Sequence, residues 1–124
     1  MKEEINTTNA PQAIGPYSQA IKAGNMLFVS GQIPLNHSDA TIPSGIEAQT
    51  KQCLENLLAI LAEAKMTTEN VVKCGIFIRN MEDFAKINEV YSTYFKKPYP
   101  ARFVVEVSRL PKDVLIEIDA IAVM

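Results

Sequence analysis

The chain has no tryptophan, one histidine and two cysteines among its 124 residues. A zinc site of the usual Cys and His donors cannot be assembled in one chain from His37, Cys53 and Cys74. His37 stands among Asn36, Ser38 and Asp39, a loop composition, so it is expected to be solvated and a Ser/His/Asp triad is not expected. No apolar run approaches the ~20 residues that span a bilayer. Met1-Lys2-Glu3-Glu4 leads into polar residues, so no signal peptide is expected. The two cysteines are then expected to be reduced core residues, and the location cytoplasmic. Charge of one sign is also lacking: 12 basic residues face 14 acidic ones, for a net −2. That balance shows no basic excess of the kind a phosphate-backbone reader carries. Glycine and proline are sparse, at 5 and 7 residues, which excludes collagen-like and low-complexity chains. What remains is 48% hydrophobic, enough for one domain spanning residues 1–124 with its own core. Any chemistry must come from Arg, Glu, Asp, Tyr, Ser, Asn and backbone groups.

Strand signals come first. Tyr17 to Ala23 and Met26 to Gln32 flank Gly24-Asn25, a two-residue hairpin turn in which glycine accepts positive φ. A short strand is also expected near Glu3 to Asn6. Ser44 and Glu47 have the spacing of a capping box, opening a helix whose stripe is Ile46, Cys53, Leu54, Leu57, Leu58, Leu61 and Ala64. The helix is expected to stop near Lys65, where glycine would be the easier residue. Val71 to Ile78 reads as a strand. Asn80 is expected to cap a second helix running to about Phe95, with Phe84, Ile87 and Tyr91 on its apolar stripe. Ala101 to Val107 and Leu115 to Val123 complete the order β-β-α-β-α-β-β. The fold class is α+β: one mixed sheet with two helices on one face.

The strands are apolar on both faces. In the last one, Ile116, Ile118, Ala120 and Ala122 suit the helices, yet Ile121 and Val123 leave the other face too apolar for open water. An exposed apolar face marks an interface, so a homo-oligomer is expected. In the strand after Pro100, Phe103, Val105 and Val107 are expected on the helix side. Arg102, Val104 and Glu106 then fall on the other face, with Glu117 and Asp119. If those strands are neighbours, Arg102 lies close to Asp119 and one diagonal step from Glu117. Two readings stay open: a structural ion pair at a subunit contact, or a small-anion site in which Arg102 binds a carboxylate and Glu117 acts on water. Ser30-Gly31 marks either a bulge or a close approach of backbone to ligand. Tyr17, after Gly15-Pro16, is either a loop aromatic packed on the sheet or part of such a site.

Several segments resemble one family throughout the chain. They are Ala13-Ile14-Gly15-Pro16-Tyr17-Ser18-Gln19-Ala20, Phe28-Val29-Ser30-Gly31-Gln32-Ile33-Pro34 and Glu47-Ala48-Gln49-Thr50. They continue with Asn88-Glu89-Val90-Tyr91, Tyr94-Phe95, Pro100-Ala101-Arg102, Leu110-Pro111-Lys112-Asp113 and Ile116-Glu117-Ile118. In this order they resemble the RidA family of reactive-intermediate deaminases (YjgF/YER057c/UK114). The resemblance implies a chorismate-mutase-like homotrimer with clefts between subunits. It implies hydrolysis of 2-imino acids, such as 2-iminobutanoate and 2-iminopropanoate, to 2-keto acids and ammonia, without a metal or other cofactor. By the same resemblance Arg102 binds the substrate carboxylate and Glu117 positions and activates water. Tyr17, Ser30, Gly31 and Asn88 then shape the cleft. Val104 stands where many relatives carry Cys, which leaves its backbone N–H as a substrate contact and removes a thiol. The Lys96-Lys97-Pro98-Tyr99 segment is shorter than in some relatives.

Two other classes compete. Members of the family have been called ribonucleases or translation inhibitors, but here the only adjacent basic pair is Lys96-Lys97 and no histidine pair exists; nucleic acid is not the expected partner. A non-catalytic, chaperone-like or ligand-binding regulator would use the same clefts and survive loss of Glu117. Chorismate mutase shares the architecture, but its dicarboxylate substrate calls for more cations than Arg79, Arg102 and Arg109 supply.

Overall fold

A computed structural model describes residues 1–124. Six strands form one mixed sheet: β1 (Lys2–Ile5), β2 (Ala20–Ala23), β3 (Met26–Gln32), β4 (Val71–Ile78), β5 (Ala101–Glu106) and β6 (Ile116–Val123). Their order across the sheet is β1-β2-β3-β6-β4-β5. Neighbours are antiparallel except β4 and β5, which run parallel. Two helices, α1 (Ile46–Glu63) and α2 (Phe84–Tyr91), cover one face. Ile116, Ile118, Ala120 and Ala122 are all buried beneath them, as their alternation requires. Cys53 and Cys74 are free and buried in this core. No helix is long and apolar enough to cross a membrane.

The Gly24-Asn25 hairpin forms, with Ala23 opposite Met26 and Gly24 at φ 63°. The strand near the amino terminus also forms, as β1. The first long strand is shorter than expected, because residues 17–19 lie in a loop held by side-chain bonds. The Ser44–Glu47 capping box does not form: Gly45, at φ 89°, is the N-cap residue, with no side-chain bond. Glycine reaches that angle without a Cβ clash, and this displaces Ser44 from the cap position. On α1 the buried stripe includes Ile60 while Leu58 is only half-buried. Lys65 has φ 61°, the left-handed conformation expected where glycine would be easier. Asn80 caps a single 3-10 turn, Met81–Asp83, accepting from the Glu82 N–H at 2.9 Å. Helix α2 then ends at Tyr91, short of Phe95, where the Ser92 and Thr93 hydroxyls donate to the Glu89 and Val90 carbonyls. Such local bonds compete with helix continuation.

Candidate functional site

The expected placement of β5 is reversed. Arg102 lies in register with Cys74 of β4, which in turn pairs with Ala120; that row faces the helices. Phe103 lies in register with Gly75 and Asp119, on the open face. Phe103 packs edge-on to Phe77 with ring centroids 5.4 Å apart. Val104 follows Arg102 to the helix side and packs against the core. The next row, Val105, Phe77 and Glu117, lies on the open face. In addition β4 separates β5 from β6, so Arg102 and Glu117 are neither neighbours nor on one face. Within one chain the expected pairing of Arg102 with Glu117 and Asp119 does not exist.

The site residues therefore fall into two groups. The first surrounds Glu117. Between Val29–Ala120 and Gln32–Ile118 the register of β3 slips, so that Ser30 and Gly31 oppose Asp119 alone. This is a bulge, and it also produces a close approach. A Cβ built on Gly31 would collide with the Glu117 carboxyl group, whose Cδ would be 2.8 Å away. The absent side chain leaves room for that carboxylate. Burial pushes the Glu117 carboxyl above its ordinary value, and the charge of nearby Asp119 adds to the shift. Asp119 is occupied, accepting from the Gly75 N–H at 2.8 Å.

Tyr17 reaches this group through the loop before β2. Gln19 is buried and binds the loop at several points: its carbonyl accepts from the Thr7 N–H at 2.7 Å, and its amide donates to the Thr7, Ala10 and Pro11 carbonyls. Ser30 ties the bulge to the same segment, its hydroxyl donating to the Ser18 carbonyl at 2.6 Å and its N–H to the Gln19 carbonyl. Tyr17 is thereby brought to a small cavity with Gln19, Gly31, Gln32 and Lys112. Ser30 spends its hydroxyl proton inside the chain and offers only oxygen lone pairs. Gln19 is a positioning residue that sequence reasoning missed. Its signal was a polar residue directly before the strand, inside the quoted segment.

The second group surrounds Arg102. With Asn88, Tyr91, Ser92, Tyr99 and Pro100 it lines a cavity of about 330 Å³. Asn88 comes from α2 and Tyr99 from the loop before β5, so these residues meet where the helix layer ends. The Arg102 guanidinium carbon lies 4.9 Å from the Tyr91 ring centroid and 5.8 Å from that of Phe84. The single ion pair in the chain is Arg109–Asp113, so no carboxylate neutralises Arg102. Tyr91 and Phe84 as neighbours of the arginine were also missed; their helical spacing was read only as core. His37 is exposed, and no group of three His, Cys, Asp or Glu side chains converges anywhere.

These features define a class: a small α+β protein with an unpaired arginine on one surface and a half-buried glutamate on another. Residues 7–124 match the family model described as Endoribonuclease L-PSP. The chain is 58% identical to a RutC family protein of Pyrococcus horikoshii, with 98% of each chain aligned. It is 46% identical to the 2-iminobutanoate/2-iminopropanoate deaminase of Escherichia coli K12, over 99% of this chain and 98% of that protein. The solved structure of E. coli TdcF with bound serine superposes with a TM-score of 0.95 at 45% identity, covering 98% of both chains. The chain belongs to the RidA/YjgF family, and the fold resemblance read from the sequence is borne out.

Proposed function

We propose that the protein is a homotrimeric deaminase that hydrolyses 2-imino acids to 2-keto acids and ammonia in clefts between subunits. One observation carries the reading: an uncompensated arginine and a carboxyl group of raised pKa, on different surfaces of one chain. Each is half of a site for a small anion that must be attacked by water. Joining the Arg102 group of one subunit to the Glu117 group of its neighbour completes the site. The open sheet face favours such an assembly, since Phe28, Phe103 and Val105 remain 43%, 38% and 40% exposed in the isolated chain. The naming of an E. coli relative as an imine deaminase and the serine bound in TdcF support a small amino-acid-like ligand.

In this mechanism Arg102 binds the substrate carboxylate through its planar fork. Asn88 and the Val104 N–H lie on the same side; Tyr17 and Gly31 form the opposite wall. A protonated imine is already electrophilic, so orienting it against a water is the main requirement. Glu117 takes a proton as water adds to C2 and returns it to nitrogen. The carbinolamine collapses with cleavage of the C–N bond, releasing ammonia and the keto acid while the hydroxyl proton passes to solvent. A carboxylate of raised pKa is the stronger base for the first step.

The test is a coupled assay in which 2-iminobutanoate is generated in situ and keto acid appearance is followed. Wild-type protein accelerates it, Arg102→Ala abolishes the acceleration without dissociating the assembly, and Glu117→Gln lowers rate more than binding. Wild-type rates in Arg102→Ala would contradict the mechanism. RNA cleavage draws no support from a net charge of −2 and one exposed histidine.

A further inference from the structure

The geometry points to Phe84 and Tyr91 of α2 as positioning residues that hold the Arg102 guanidinium ready for a carboxylate. This rests on the substrate-binding role proposed for Arg102. Phe84, Asn88 and Tyr91 recur at i, i+4 and i+7, so one face of α2 presents all three toward β5. Both rings lie within the ~6 Å reach of a cation–π interaction, at 4.9 Å for Tyr91 and 5.8 Å for Phe84. Arg102 has no acidic partner, and no side-chain hydrogen bond within the chain fixes it. An acid would hold the guanidinium firmly but would occupy the fork that the substrate needs. Aromatic faces attract the cation through its plane and leave the N–H edge free.

Tyr91 is itself packed into the core. It is 5% exposed, and its ring packs on Phe95 at 4.6 Å. Its hydroxyl sits beside the Cys74 thiol without a well-formed bond, the one buried side-chain polar atom in the chain left so. The ring, not the hydroxyl, is therefore what this residue contributes. Phe84 is 40% exposed at the first turn of α2, a position that core packing does not explain and the arginine does.

The experiment combines titration with 2-oxobutanoate, the saturating rate in the coupled assay, and the NMR resonance of the Arg102 Nε–H. Phe84→Leu and Tyr91→Leu are expected to weaken 2-oxobutanoate binding about three- to tenfold, with the saturating rate within about twofold of wild type. Tyr91→Phe is expected to match wild type. The Arg102 resonance, shifted by ring currents in wild type and Tyr91→Phe, moves toward the free-arginine position in the Leu variants. Phe84 is half-exposed, so Phe84→Leu decides the matter if Tyr91→Leu does not fold. Wild-type affinity in Phe84→Leu overturns the inference, as does a Tyr91→Phe variant as weak as Tyr91→Leu. If wild-type protein neither accelerates the reaction nor binds 2-oxobutanoate, the proposed function fails. The resonance then reports on the aromatic cradle alone.

Discussion

Glu117 is the residue on which the proposed chemistry and stability meet. Its folded-state pKa is raised above the ordinary value of 4.5 by burial first and by Asp119 second. A raised pKa gives a stabilising contribution that is complete below the unfolded value and is lost as pH rises through the folded value. At neutral pH the ionised form is therefore a liability to the fold. Glu117→Gln is expected to melt at a higher temperature than wild type at pH 7, the gap closing as pH falls toward 4.5; thermal melts across pH check it. The acidic limb of the deaminase pH profile is expected above 4.5 for the same reason. Gly31→Ala places a methyl group against the Glu117 carboxyl, within 2.8 Å of Cδ. It is expected to lower the rate by about tenfold or more by misplacing the carboxylate. The sequence made both charged residues legible, because Arg and Glu interrupt apolar strands. Their relation was not legible: Arg102-Phe103-Val104-Val105-Glu106 alternates acceptably either way round. The phase is decided by the Phe103–Phe77 packing and by the Phe103 ring filling the space that Gly75 leaves without a side chain.

Among the elements, α1 shows where local pattern and actual anchoring part. The Ser44–Glu47 spacing matched a capping box, yet Gly45 holds the cap position at φ 89°. Gly45→Ala is expected to cost about 1 kcal/mol because that angle disfavours a Cβ. Ser44→Ala should stay within about 0.5 kcal/mol of wild type. Urea unfolding of the two variants distinguishes them. The apolar stripe itself was legible, since helical spacing depends on few angles. The polar anchors were not. Asn56 is buried and donates to the Ile33 and Leu35 carbonyls, both at 3.0 Å. No spacing rule announces a bond between a helix and a distant loop. Helix α2 ended early for a similarly local reason, the Ser92 and Thr93 hydroxyls closing its last turn.

At the scale of the whole molecule, the order of elements along the chain and the layer arrangement followed from apolar periodicity and turn residues, whereas the order of strands across the sheet did not, since β4 lies between β5 and β6. The face away from the helices is apolar, as the sequence pattern implies, and carries the exposed Phe28, Phe103 and Val105. Periodicity favours covering of such a face and is silent on how many copies would cover it. Phe28→Asp, on that face opposite Ile121, is expected to shift the protein to smaller species in sedimentation, with loss of deaminase rate. The reversal of β5 gives the proposed assembly a chemical meaning. Were Arg102 and Glu117 neighbours on one face, a single chain would suffice. Because the sheet separates them, oligomerisation is required for the proposed chemistry as well as for burial.

Subunit complementation tests that claim most directly. Arg102→Ala and Glu117→Gln chains, each first assayed alone for its residual rate, are unfolded together, refolded in equal amounts and assayed for imine hydrolysis. If one subunit supplies Arg102 and its neighbour Glu117, about a quarter of the clefts in randomly mixed rings contain both native residues. The expected result is recovery of about a quarter of the wild-type rate. A mixture no faster than the mean of its components, with mixed assemblies verified by mass, would contradict a site shared between subunits.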